Sequence, residues 1–441
     1  MSVLANLRHD VADMPASQQP NWPDSAHVDS VVQELEGRKP LVSQEECARL
    51  TERLGEVASG NAFLLHAGDC AETLEYDPDT VEHTTRVILS MTASLLNSGM
   101  KVVKVGRIAG QTAKPRSSDT EEQDGIALPS YRGDMVNGLS FTKEARQPDP
   151  DRLLQTYDMA EHKIAQQKRL TNSDFANLEH ANKWNIEFAD STQSARYMAM
   201  TKQIERSIAF MIATGADLDD VRHTEVFTSH EGLILPYELG LTRLDQDGKP
   251  YDSSSHMIWI GKRTLQLDGA HVAYCSEISN SVGAKIGPEM TPEEIIALCD
   301  KLDSHRIPGR LNLIARMGVD AVAESLPPLL RAVKSSGHPV IWSSDPMHGN
   351  TYAEVDRKTR HFDTIYSEFD QFIGICEAED VWPGGVHLEL TGENVTECLG
   401  GIEPSGIKDL EANYNTACDP RLNGEQGMEL AFLISSRLAK L

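Results

Sequence analysis

Residues 61–70 read NAFLLHAGDC, a short apolar run that ends in an acid and a thiol. Seven later stretches repeat the pattern: 101–110 KVVKVGRIAG, 223–230 HTEVFTSH, 256–263 HMIWIGKR, 281–288 SVGAKIGP, 310–318 RLNLIARMG, 339–348 PVIWSSDPMH and 385–393 GVHLELTGE. In each, a few β-branched or aliphatic residues lead to a charged or metal-capable side chain. Most are separated by sequence with helical periodicity. Strand alternating with helix predicts a parallel sheet, and eight such units predict a closed α/β barrel of the (β/α)8, or TIM, type. Chemistry in that fold gathers at the C-terminal strand ends, where the βα loops converge. Cys70, Arg107, Arg263, Lys285, Arg316, His348 and Glu389 are therefore expected around one mouth.

A barrel takes about 250 residues, and the chain has 441. The surplus is expected as an N-terminal arm with helices over 1–58 and a helical insertion over about 145–220 in the barrel of 59–441. Residues 1–26 contain Pro15, Pro20 and Pro23 and read as an extended arm. Two short helices are expected over 28–58, the second opened by Ser43 with Glu46 three residues on. The apolar spacing of Val87, Met91 and Leu95 predicts a helix over 81–98 that stops at Gly99. The stretch 111–138 is rich in turn formers and reads as a long functional loop. Within 151–215, Leu153, Leu154, Tyr157 and Ile164, then Tyr197, Ile204, Ile208 and Met211, fall at helical spacing. These extra helices are expected either as an outer layer or as a subunit interface or regulatory surface. Thr291, Pro292 and Glu294 start a further helix, and Met428, Leu430, Ala431, Ile434 and Leu438 give the last one an apolar stripe.

Lys plus Arg number 41 and Asp plus Glu 67, for a formal net charge of −26. Such acidity argues against nucleic-acid or anionic-membrane partners. It makes a cluster of bases at the strand ends a positive pocket on an acidic body, suited to a small polyanion. Seven widely spaced cysteines without a CxxC pair argue against a disulfide framework or zinc ribbon. With no signal segment and no apolar run near the roughly 20 residues of a membrane span, a cytoplasmic location is expected. There is no GxGxxG after the first strand, no GxxxxGK[ST] and no GxSxG, so nucleotide-binding and serine-hydrolase readings lose support.

Cys70, His348, Glu389 and Asp419 fall on the first, seventh and eighth strands and the loop that follows, which are neighbours in a closed barrel. A thiolate, an imidazole and two carboxylates suit a divalent metal of borderline softness: Mn, Co, Fe or Zn. His387, two residues before Glu389 and on the same strand face, is a competing ligand or an interior residue. Arg107, Arg263, Lys285 and Arg316 end strands two, four, five and six; converging, they require an anion, and a phosphate with a carboxylate would satisfy them. Lys114, Arg116 and Ser117, in KPRS, could hold a second phosphate or form a solvated turn.

LLHAGDCAE, VGRIAGQTAKPRS, YRGDMVNG, TSHEGLILPYE, DGAHVAY, GRLNLIARMG, DPMHGNT, HLELTGENVTECLGG and CDPRLN, in that order from about residue 20 to the end, resemble the type II, plant-like 3-deoxy-D-arabino-heptulosonate 7-phosphate (DAHP) synthases. The resemblance implies a metal-dependent, aldol-like condensation of phosphoenolpyruvate with erythrose 4-phosphate, the first step of the shikimate pathway. It implies Cys70, His348, Glu389 and Asp419 as ligands of a divalent ion, Mn2+ or Co2+ ahead of Zn2+ or Fe2+. By the same matching, Arg107, Arg263, Lys285 and Arg316 hold phosphoenolpyruvate, Trp259 lines its site, and Lys114, Arg116 and Ser117 meet the aldose phosphate. Lys285 is expected to move a proton near C2, its pKa depressed by Arg263 and Arg316. The resemblance also implies a homodimer or homotetramer, with chorismate mutase as a candidate partner.

Two positions depart from the family pattern. Lys262 in WIGKR replaces a Glu, and is expected to depress the pKa of Lys285 further and to alter the catalytic surroundings. His66-Ala67-Gly68 replaces Gln-Gly-Gly. They keep two alternatives open: a phosphoenolpyruvate–aldose condensing enzyme of secondary metabolism, of the aminoDAHP type or with another acceptor, and a non-catalytic regulatory member of the family.

Overall fold

Every residue of Ala62–Gly68 is buried, as expected of a strand enclosed by a barrel interior on one face and helices on the other. A computed structural model describes residues 3–177, 181–186, 195–214, 224–354, 356–401, 406 and 410–441. Among the described residues, eight parallel strands close into one barrel. They are β1 (Ala62–Gly68), β2 (Lys101–Arg107), β3 (Phe227–Glu231), β4 (Met257–Ile260), β5 (Ser281–Ile286), β6 (Leu311–Ala315), β7 (Ile341–Ser344) and β8 (Gly385–Glu389). Each strand pairs with its sequence neighbour, and β8 returns to β1. The register sets Gly68 beside both Arg107 and Glu389, so three strand ends finish level. A Cβ on Gly68 would lie 2.7 Å from the Arg107 carbonyl oxygen; only glycine allows this approach.

Before the barrel come α1 (Val3–Ala12), α2 (Ser25–Gly37) and α3 (Gln44–Ala58). The extended arm expected over 1–26 is thus corrected: α1 is helical and buries Leu7 and Val11, a spacing of four that the later prolines obscured. It packs on α8 (Ala270–Glu277). α3 opens with the Ser43/Glu46 capping box. Its Leu50, Leu54 and Val57 form a core cluster with Leu64, Val103, Val105, Phe227, Met257 and Ile341, plugging the N-terminal end of the barrel. The barrel interior is therefore closed at this end, and its C-terminal mouth stays open.

α4 (Pro78–Leu95) follows β1 and leads through a short 3-10 turn to Gly99, whose φ is +82°, a left-handed stop. The 111–138 loop carries a hairpin, Thr120–Gln123 with Ile126–Pro129. The insertion supplies α5 (Asp151–Thr171) and α6 (Ala195–Thr214). α5 buries Leu153, Tyr157 and Ile164 and packs on α4 and α2, so it belongs to an outer layer. Residue 215 and the side chains of 197, 208 and 211 lie outside what is described. α7 (Leu235–Leu241), α9 (Pro292–Leu302), α10 (Val322–Ser336), α11 (Phe362–Ala378) and α12 (Gly424–Leu438) complete the helices named here. Thr291 caps α9 with Glu294, and α12 lays Leu430, Ala431 and Ile434 in the core against α4. No described helix is long and apolar enough to cross a membrane.

Candidate active site

The mouth holds a cavity of about 330 Å³. Arg107, Lys114, Trp259, Lys262, Arg263, Lys285, Arg316, His348 and Asp419 all line it, with Gln111, Glu231 and Gly261 among their neighbours. Four of the cations come from four different strand ends: Arg107 closes β2, Lys285 is the last residue but one of β5, Arg316 follows β6, and Arg263 sits in the 3-10 turn after β4. Arg116 and Ser117 are not in the wall. Arg116 pairs with Glu121 at 2.6 Å, while the Ser117 hydroxyl accepts from Arg263 Nη2 at 2.8 Å, joining the KPRS loop to the rim.

On one side of the cavity lie Cys70 Sγ, a Glu389 oxygen and an Asp419 oxygen, all within 4.8 Å of one another. The Asp419 amide donates to Cys70 Sγ at 3.2 Å. His348 Nε2 lies 3.2 Å from Glu389 Oε1, and its Nδ1 faces Asp345 Oδ2 at 2.8 Å. That contact orients the ring, as a carboxylate behind a ligating histidine does. Soft sulfur, imidazole and two carboxylates fit a borderline divalent ion. Burial and the Glu389 charge push the Cys70 thiol well above its ordinary pKa; an ion would supply the positive charge that a thiolate there lacks. Burial opposes ionisation of Glu389, but His348, Arg360, Lys114 and Arg107 hold it well below the carboxylate range. Glu389 is fully buried, with Arg107 Nη2 at 2.9 Å, Arg360 Nη1 at 2.7 Å and Lys114 Nζ at 3.5 Å.

His387 is not arranged as a competing ligand. Its Nε2 accepts from Arg107 Nη1 and its Nδ1 faces His66 Nδ1 at 3.0 Å, so both ring nitrogens are committed below the cavity floor. Burial, then Lys285, His66 and Arg107, push its pKa well down. Lys285 contacts Asp345. Burial lowers its pKa to about 8, with Asp345 opposing and Arg107 adding to the fall. The expected roles of Arg263, Arg316 and Lys262 in that shift are corrected: the chief charges acting are Asp345 and Arg107. Lys262 instead pairs with Glu289 at 2.8 Å, its side chain 37 % exposed, because the 3-10 turn carries it to the rim.

Sequence reasoning missed several residues. Asp345, which joins Lys285 to His348, stands three residues before that histidine, and the DPMH run was a usable signal. Arg360 reaches Glu389 from just past a short strand outside the barrel, Arg357–Thr359, and left none. Glu231 ends β3, and a Cβ on Gly261 would be 2.0 Å from its Oε1. That oxygen is buried without a hydrogen-bond partner. Burial raises its pKa, against Lys114, Lys285, His348 and Arg107.

A family model described as Class-II DAHP synthetase matches residues 7–435. The chain belongs to the class-II DAHP synthetase family. It is 45% identical over 428 residues to the phospho-2-dehydro-3-deoxyheptonate aldolase of Streptomyces coelicolor, covering 96% of this chain and 95% of that one. It is 46% identical over 435 residues to the phospho-2-dehydro-3-deoxyheptonate aldolase AroG of Mycolicibacterium smegmatis, covering 96% and 93%. As a class-II DAHP synthetase, the chain lines its barrel mouth with two charge groups of opposite sense. One is a donor set suited to a divalent ion; the other is a row of cations suited to an anion.

Proposed function

We propose that this chain is a 3-deoxy-7-phosphoheptulonate synthase, condensing phosphoenolpyruvate with erythrose 4-phosphate to give DAHP and phosphate at the entrance to the shikimate pathway. The observation that carries the reading is the single cavity in which Arg107, Lys114, Arg263, Lys285 and Arg316 converge beside Cys70, Glu389 and Asp419. Cys70, His348, Glu389 and Asp419 would hold a divalent ion, Mn2+ or Co2+ first; when bound, it supplies Lewis acidity toward the aldehyde oxygen.

Arg107, Arg263, Lys285 and Arg316 bind the carboxylate and phosphate of the enol ester, and Trp259 backs it. Arginine forks suit both groups. Lys114, with Arg116 and Ser117 at the rim, meets the aldose phosphate and sets its carbonyl carbon against C3 of the enol. A C–C bond forms between those carbons while the aldehyde oxygen gains a proton. Water adds to C2 and gives up a proton; the C2–O bond to phosphate then breaks as the new hydroxyl becomes the C2 carbonyl and its proton passes to the departing phosphate. Lys285 and Glu231 border the cavity and are the groups proposed to hold those protons.

Release of inorganic phosphate from phosphoenolpyruvate, measured with erythrose 4-phosphate and with other aldoses, with and without Mn2+ or Co2+, tests the reading. Metal-dependent release with erythrose 4-phosphate is expected. Release only with another acceptor would favour a diverted condensation, to which Lys262 in the cavity wall lends support. No release with any acceptor would leave a regulatory family member. Self-association as a dimer or tetramer, and contact with chorismate mutase, rest on the resemblance and are tested by sedimentation alone and in mixture.

A further inference from the structure

Below the cavity floor runs a chain of hydrogen bonds whose direction is fixed at one end. Arg107 carries only donors. Its Nη1 meets His387 Nε2, which must therefore accept. The proton of the imidazole is then on Nδ1, which faces His66 Nδ1 at 3.0 Å and donates to it. His66 in turn carries its proton on Nε2, 2.7 Å from Ser229 Oγ. The Ser229 hydroxyl passes its hydrogen to the Gly106 carbonyl at 3.0 Å. That carbonyl belongs to the peptide joining Gly106 to Arg107, so the circuit leaves β2 by the arginine side chain, crosses β8, β1 and β3, and returns to the same peptide.

Strand register builds this ring. His66 is level with His387 across the β1–β8 seam, and Ser229 is level with Arg107 across β2 and β3. Trp259 stands edge-on to both imidazoles, with ring centroids 5.3 and 5.2 Å away, and the Arg107 guanidinium lies 5.0 Å over its ring. Arg107 is also fixed by Nε to the Asp69 carbonyl and Nη2 to Glu389, both at 2.9 Å. Those bonds with the one to His387 take three of the five guanidinium N–H groups, leaving two for a ligand.

We propose that His66, His387 and Ser229 are positioning residues that act through Arg107, setting the plane in which it presents its remaining donors to the phosphoenolpyruvate anion. The ring also gives a chemical meaning to the departure at position 66. A glutamine amide, like a singly protonated imidazole, offers one acceptor and a donor. Either side chain can relay the same polarity from His387 to Ser229; an aliphatic one cannot. The inference rests on the reading that Arg107 holds phosphoenolpyruvate.

Steady-state kinetics on His66→Gln, His66→Leu, His387→Leu and Arg107→Lys separate the two. His66→Gln should keep KM for phosphoenolpyruvate within about threefold of the parent. His66→Leu and His387→Leu should raise it between about tenfold and a hundredfold, the scale of a misplaced binding group, with KM for the aldose phosphate nearly unchanged. If Arg107→Lys leaves KM for phosphoenolpyruvate untouched, the reading of Arg107 fails. If Arg107→Lys raises it while both leucine variants fold and match the parent, the ring has no positioning role. Because leucine in the barrel interior can impair folding, [15N]histidine spectra of the parent provide an independent check. Among the fifteen histidines, His387 protonated on Nδ1 only and His66 on Nε2 only are expected, assigned by the signals lost in His387→Leu and His66→Gln. Finding His387 protonated on Nε2 would overturn the proposal.

Discussion

Lys285 sits where burial and a neighbouring carboxylate pull in opposite directions, and burial dominates, bringing its pKa to about 8. The ammonium predominates below that value and is lost above it. If the charged form binds phosphoenolpyruvate, kcat/KM falls as pH rises through about 8. The bound anion favours the charged form, so the limb in kcat lies at higher pH. In Lys285→Arg the alkaline limb of kcat/KM should disappear; a profile identical to the parent would remove Lys285 from this role. Glu231 poses the converse case, a carboxyl that burial biases toward its protonated form, with one buried oxygen unpartnered. Glu231→Gln keeps the shape and removes the exchangeable acid. It is expected to lower kcat by about a hundredfold or more if the group moves a proton, with KM for phosphoenolpyruvate little changed; a kcat near the parent's would reduce Glu231 to wall. At this scale, the residues most visible in the sequence were those at or just past a strand end: Arg107, Lys285, Arg316, Glu389. Arg360 and Ser229 were not, nor was the contact of His66 with His387, because side chains that meet through space leave no local spacing to read.

The segment between α1 and α2 ties three βα loops together. Gln18 Oε1 accepts from the Arg116 amide at 2.8 Å, and Gln18 also accepts from Arg132 Nη1. Gln19 Nε2 donates to the Leu233 carbonyl at 2.7 Å, and its Oε1 accepts from the Leu235 amide at 3.2 Å. The Ser17 hydroxyl donates to the Arg263 carbonyl at 3.0 Å, and the Ala270 amide donates to Pro15 O at 2.9 Å. Residues 15–19 therefore brace the loops after β2, β3 and β4, two of which carry proposed phosphate contacts. Gln18→Ala should raise KM for erythrose 4-phosphate by roughly three- to tenfold through looser placement of Arg116, while the melting temperature stays close to the parent's. An unchanged KM would show the brace to be inert. The capping boxes at Ser43 and Thr291 were legible beforehand because a cap is written within four residues. This brace was not, since its partners lie about a hundred residues or more away in sequence, and its prolines suggested only a lack of helix.

Across the molecule, the proposed ion ligands straddle the seam where the barrel closes. Cys70 follows β1, Glu389 ends β8 and Asp419 lies beyond it. An ion bound only by the folded chain adds stability by mass action, about 2.7 kcal/mol at a hundredfold excess over Kd. Mn2+ or Co2+ should therefore raise the melting temperature of chelator-treated protein, and Cys70→Ser combined with Asp419→Asn should abolish the rise. A rise that survives in that variant would locate the ion elsewhere. The barrel itself was legible because eight apolar runs carried their own polar termini. What covers it was less so: α1 and the exposed hairpin at 120–129 gain their order from neighbours and turns rather than from a repeating pattern. The brace at 15–19 also makes the amino-terminal segment part of the working surface. If Arg116 meets the sugar phosphate as proposed, a protease that nicked the chain between α1 and α2 should spare the barrel and its plug yet blunt the enzyme toward its sugar substrate, and preparations that look whole by melting would differ in activity with the state of their first twenty-five residues.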